Sequence, residues 1–358
     1  MPKRIACAAP LLAVMLLQTA EAQSQKNVWQ KLDVPTTASF RGLSAASATI
    51  VWASGTNGTI IRTINGGAIW SIHKVAGAEK LDFRGIHAFD ANTAVIMSSG
   101  NAEDGQARVY RTTDGGENWK LVYEQKTRGV FFDAIAFWDH NHGIVVSDPV
   151  DGHFALFTTE DGGATWKQIP QESIPAALPN EGAFAASNSC LTVEGTSNVW
   201  FVTGGTNVAR VFRSNDRGKS WQVSETPMHP GNASSGLFSI AFRDAKNGIA
   251  VGGDYAHPSD SPGPVILLTA DGGTTWNAGP ATDPPGLFLS SVTYKPDRTG
   301  VKSDDAEVVA AGTGGINSLR ANSKWTRESE QNINAIAFPV HNAGWAVGPK
   351  GIILCASE

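Results

Sequence analysis

Four octapeptides in this chain fit the pattern Ser/Thr-x-Asp-x-Gly-x-x-Trp without a mismatch: Thr112 to Trp119, Thr159 to Trp166, Ser214 to Trp221 and Thr269 to Trp276. A fifth, Thr63 to Trp70, carries Asn65 in place of the Asp. They recur at intervals of about fifty residues, as expected when one supersecondary unit is repeated. Each residue type suits a tight turn before a strand. The Asp side chain accepts hydrogen bonds from nearby backbone N–H groups. Gly takes the positive φ that a Cβ resists, and Trp starts the next strand and buries its indole between neighbouring sheets.

The sequence around these turns repeats as well. An apolar strand opens the unit: FRGLSA at Phe40, FRGIHA at Phe83, FFDAIAF at Phe131, LFSIAF at Leu237 and NINAIAF at Asn332. A polar turn follows, then a second strand ending in Gly or Ser, then a third that runs into the octapeptide, and a fourth begins at the Trp. Four short strands repeated radially describe a propeller blade. The 38 Gly, 11 Trp and 17% charged residues agree with an all-β repeat protein of tight turns and a large aromatic core.

The weaker units complete the count. One unit has lost its octapeptide but keeps Trp325, and the last, GWAVGPKGIILCAS, lacks the Trp and a fourth strand. The missing strand stands at the other end, where the sequence around Trp29 resembles those around Trp119 and Trp166. The chain is therefore expected to be a seven-bladed β-propeller whose ring is closed by the N-terminal strand. Closure protects sheet edges. Trp29, Trp70, Trp119, Trp166, Trp221, Trp276 and Trp325 then occupy equivalent positions.

Residues 1–22 read as a signal peptide: Lys3 and Arg4, an apolar run from Ile5 to Leu17, then Ala20-Glu21-Ala22 before Gln23. Residues 23–358 would form one propeller domain, periplasmic or extracellular and not membrane-embedded, since no segment has the ~20 apolar residues of a span. Export permits disulfides. Cys7 leaves with the signal, however, and Cys190 and Cys355 fall in non-adjacent blades, so two unpaired, buried thiols are expected. The net charge of −5 argues against a nucleic-acid partner.

In such a ring the blade-to-blade connections and the second-to-third-strand loops gather at one face around the axis. The octapeptide turns lie on the other side. His140, His142 and His341 fall on the octapeptide side and read as turn residues, not metal ligands. On the axial face the inner strands begin with Arg41, Arg84, Asp133, Asn188 and Asn334, expected to point into the funnel. Lys126 and Arg128 come from the linker before blade 3. Longer loops add Glu103 and Asp104, then Asp148, Asp151 and His153, then Asp254, Tyr255 and His257. The connections Pro170 to Ala186 and Ser224 to Gly236 are long enough to be functional. The binding residues expected from this set are Arg41, Arg84, Arg128, Asp133, Asp148, Asp254, Tyr255 and His257.

The motifs GWAVG-x-x-G-x-I, IAFxDxxNG and TxDGGxTW resemble those of the photosystem II stability and assembly factor propellers, and more widely the BNR/Asp-box, sialidase-like repeat proteins. The resemblance covers nearly all of the chain after residue 22. It implies a non-enzymatic propeller that holds a protein with a patch of arginines, for which Arg41, Arg84 and Arg128 are the counterparts. A sialidase would need three arginines, a Tyr–Glu pair and an acid Asp. Here no Arg-Ile-Pro segment precedes the first box, and there are only four tyrosines. Xyloglucanase-like enzymes resemble the repeat but use two facing propellers. A glycosidase needs two carboxyls about 5–10 Å apart, which leaves Asp133 with Asp148 or Asp254 as its candidates. No dinucleotide loop, haem motif or flavin motif is present, so no cofactor is expected. The reading is an exported monomer that binds a protein or glycan through its funnel face, with glycoside hydrolysis as the alternative.

Overall fold

The structure is a computed structural model and describes residues 28–260, 263–282, 287–301, 303, 306–320 and 324–357. The expected signal peptide and Cys7 lie outside these residues. Within them, 28 strands form seven antiparallel sheets of four. Six are meanders in chain order, starting at inner strands Phe40–Ala45, Asp82–Ala88, Phe132–Phe137, Leu191–Glu194, Ser235–Phe242 and Leu289–Lys295. The seventh runs Ala335–Val340, Ala343–Val347, Ile353–Ser357, and its outer strand is Val28–Lys31. Trp29 pairs with Ala356 and Gln30 with Cys355. Each inner strand packs on the next, and the seventh on the first. The seven-bladed propeller and its closure by the N-terminal strand are as the repeat predicts.

The core lies between blades. Middle strands such as Ala94–Ser99 and Gly248–Asp254 are buried along their whole length. They therefore read as continuous apolar runs, because a neighbouring sheet covers each face. Trp52 joins Phe83 and Tyr110 between blades 1 and 2, and Phe154 joins Phe201 and Phe212 between blades 3 and 4. Of the repeated tryptophans, Trp166, Trp221, Trp276 and Trp325 are buried, while Trp29, Trp70 and Trp119 are half-buried. Cys190 is buried and unpaired. Cys355, also unpaired, is half-buried, in a strand position like those of Arg62 and Arg213, which are also half-buried in their blades.

The octapeptide turns carry the expected hydrogen bonds. Asp114 Oδ1 accepts from Asn118 N at 3.0 Å and from Thr112 Oγ1 at 2.8 Å, and the Thr112 hydroxyl accepts from Gly116 N at 3.1 Å. Gly115 and Gly116 sit at φ 78° and 89°. The residue four after the Asp adds a side-chain clasp to the second carboxylate oxygen: Asn118 at 2.9 Å, Thr165 at 2.6 Å, Ser220 at 2.6 Å and Thr275 at 2.7 Å. Blade 1 departs from this. Ile69 replaces the clasping residue beside Asn65, and is 72% exposed.

Candidate functional site

The same irregularity marks five of the inner strands. Pairing with the second strand skips one residue at Arg41, Arg84, Asp133, Phe238 and Ser290. A β-bulge leaves its extra residue outside the ladder and re-aims the side chain. Asn188 and Asn334 stand at the corresponding place just before the inner strands of blades 4 and 7. The ring of positions facing the axis is therefore Arg41, Arg84, Asp133, Asn188, Phe238, Ser290 and Asn334. Sequence reading found five of these and missed Phe238 and Ser290, although LFS and LSS align with FRG and FDA.

Several ring residues hold backbone rather than present themselves to solvent. Asn334 Nδ2 donates to Phe40 O at 2.8 Å, and Ser290 Oγ to Asn334 O at 2.9 Å. Asn188, at φ 63°, accepts from Ile135 N at 2.8 Å and donates to Ile86 O at 3.3 Å.

What the arginines hold is a plug. The long connection before blade 4 sends residues 183–189 across the channel. Arg41 Nη1 donates to Ala186 O at 3.0 Å, and Arg84 Nη1 to Ala185 O at 3.4 Å. Phe184 stacks on Phe238 of blade 5 with ring centroids 4.0 Å apart, and Ser187 Oγ donates to Ser290 O of blade 6 at 2.6 Å. Ala183 N donates to Asp148 of blade 3 at 3.1 Å. A segment that precedes blade 4 can touch blades 1, 2, 3, 5 and 6 only by lying over the axis. Its stem is fixed by a buried ion pair: Arg210 Nε donates to Glu181 at 2.8 Å, Nη2 bonds to the same carboxylate, and Thr203 Oγ1 donates to it at 2.7 Å.

Of the acids expected to serve chemistry, Asp133 and Asp254 are buried and Asp148 is half-buried. Asp133 is 1% exposed, and its Oδ2 has no hydrogen-bond partner. Burial pushes its carboxyl well above the usual range and Asp148 adds to this, against the pull of Arg84. Burial likewise raises Asp148 to about 6, partly offset by the Ala183 N–H. Both shifts run the same way, so this pair of carboxyls favours the neutral form more than an exposed Asp does. Asp254 is bound into its own loop by Ser234 Oγ at 2.7 Å, Asn232 Nδ2 at 3.1 Å and Ala256 N at 2.9 Å. Burial opposes ionisation there, but these hydrogen bonds, with that of His257, hold its carboxyl below the usual range.

The accessible groups form a rim around the plug. Tyr255 is 55% exposed and stands edge-on to Phe184 and Phe238 at 6.3 Å and 6.1 Å. His257 beside it is exposed. Lys126 and Arg128 are exposed on the blade 3 linker, near Glu103, which accepts from Gly129 N at 3.4 Å. Asp104 and Asp151 are exposed and His153 is half-buried. Arg84 is half-buried beside Asp82, at 2.7 Å. Burial and the neighbouring Arg84 both lower the Arg41 pKa, which Asp82 partly restores. On the other face, His142 bonds to Asp139 within its turn at 2.9 Å, and His341 bonds across to Pro296 O of blade 6 at 2.8 Å.

No family model matches the chain. The photosystem II assembly lipoprotein Ycf48 of Picosynechococcus is 23% identical over 321 residues, spanning 77% of this chain and 85% of that protein. The solved structure of Ycf48 bound to a D1 peptide superposes with a TM-score of 0.65 at 17% identity, over 94% of this chain and 98% of that one. Ycf48 from Cyanidioschyzon merolae gives 0.65 at 19% identity, over 92% and 99%. A GH74 xyloglucanase from Xanthomonas campestris gives 0.58 at 15% identity, over 92% of this chain and 53% of the enzyme. These superpositions establish the fold. The expected resemblance to the assembly-factor propellers holds in sequence and in architecture.

Proposed function

We propose that this protein is an exported, non-enzymatic binding propeller that holds a segment of another polypeptide against the rim of its axial face. The plug is the observation that carries the reading. It is held by Arg41 and Arg84 and lies against Asp148, so the axis is filled and the face offers a floor edged by an exposed aromatic and cations. Aromatic anchors with neighbouring arginines are the usual energetic centres of protein recognition. Similarity to an assembly lipoprotein, and to a relative solved with a bound peptide, supports a polypeptide ligand. Residues 1–22 support delivery to the periplasm or the exterior, and no helix among the described residues is long and apolar enough to cross a membrane.

The test is capture from an envelope extract of the native organism. Tyr255→Ala with Arg128→Glu is expected to lower recovery of a stoichiometric polypeptide at least tenfold while the melting temperature is unchanged. These positions suit the test better than Arg41 and Arg84, whose loss would also release the plug. Equal recovery by the variant would refute the rim as the binding surface.

A further inference from the structure

A cavity of about 470 Å³ opens on the octapeptide face between blades 3 and 4. Its origin is local. The outer strand of blade 3 has only two residues, Lys167–Gln168, because Pro170 has no N–H with which to extend the ladder. Blades 1 and 2 carry four and five residues at this place. The space beside the octapeptide turn of blade 4 is left open.

Its lining is chemically selective. One wall is the half-buried indole of Trp138, fixed by donation from Nε1 to Asn198 O at 2.7 Å, and Pro170 adds a second flat apolar surface. Thr158, Gln168 and Ser173 contribute hydroxyl and amide groups. Lys167 and Lys219 are exposed at the cavity, and neither forms an ion pair or side-chain hydrogen bond among the described residues. Arg217 is held at Thr196 O and Asp139, and Glu160 is the single carboxylate in the lining. Two cations without an ion pair thus share one cavity with an indole, on a chain of net charge −5.

We propose that this cavity binds an acidic saccharide, a pyranose unit bearing a carboxylate. The apolar face of such a ring stacks on Trp138, its carboxylate pairs with the two lysines, and its hydroxyls meet the Thr, Gln and Ser groups. A few oriented polar groups around an apolar wall, in a volume of some hundreds of Å³, are the usual make-up of a small-ligand site. An aromatic platform with dispersed hydroxyl and amide partners suits a polyhydroxylated ring better than a single acidic side chain. The site stands apart from the axial rim, on the opposite face, and does not depend on the function proposed for it.

Calorimetric titration of the full chain with a glucuronic acid trisaccharide tests this, alongside a neutral glucose trisaccharide and a triglutamate peptide. The acidic trisaccharide is expected to bind at one site per chain, at least tenfold more tightly than either control. Lys167→Ala with Lys219→Ala, both at the surface, should weaken it at least tenfold without lowering the melting temperature. No saturable binding, binding unaffected by the double substitution, or equal binding of the peptide would each overturn the proposal.

Discussion

Asp148 shows how a half-buried carboxyl couples this fold to pH. Its folded pKa of about 6 lies above the ~3.9 of an unfolded Asp, so between those values the native state keeps a proton that the unfolded chain releases. Stability from this group is complete below about pH 4 and is lost as the pH rises through 6. Asp148→Asn stays neutral and can still accept from Ala183 N. Between pH 4.5 and 7.5, denaturant unfolding should show the variant gaining about 1–3 kcal/mol relative to the native protein. A constant difference would mean that the carboxyl titrates normally. The turn aspartates behave oppositely. Hydrogen bonds from Asn118 hold Asp114 near 2, and those from Thr275 hold Asp271 near 2. Their contribution is present above pH 4 and lost as the pH falls toward 2. Glu181→Ala would leave Arg210 buried without its carboxylate, and a loss of about 3–5 kcal/mol is expected by the same measurement.

The plug is an element that hydropathy and turn signals do not announce. The connection Pro170 to Ala186 stands out by length, but its partners lie in five other blades, and contacts across the axis leave no local pattern. The bulges are hidden for a related reason, since they exist only in pairing with the next strand. Arg41, Arg84 and Asp133 were still legible because the repeat aligns them. Their roles were not, since a funnel-facing charge and a plug-holding charge look alike in a sequence. Phe184→Ala removes the stack on Phe238 and is expected to cost about 2–4 kcal/mol. Hydrogen exchange at residues 183–189 should rise while the blade strands stay protected; unchanged exchange would show that the stack does not hold the plug. In blade 1, Asn65→Asp with Ile69→Thr restores the clasp found in four other turns. It should add about 0.5–1.5 kcal/mol, read as a higher melting temperature.

At the scale of the whole molecule, the ring is closed by four residues. Val28–Lys31 cover the edge of Ile353–Ser357, and Trp29 packs edge-on against Phe338 at 5.8 Å. This was fully legible, because the last unit lacks a strand and the sequence around Trp29 supplies a matching one. Deleting residues 23–31 is expected to expose that edge, lower the melting temperature and promote association through the unpaired strand. A deletion protein as stable and monodisperse as the parent would show that closure is dispensable. The closed ring and its plug together fill the axis of the molecule, and the face above them is where a polypeptide is proposed to be held. Hydrogen exchange of the protein alone and with its captured partner tests this most directly. Protection is predicted at 126–129 and 254–257, beside the plug; protection confined to the octapeptide turns on the opposite face would contradict it.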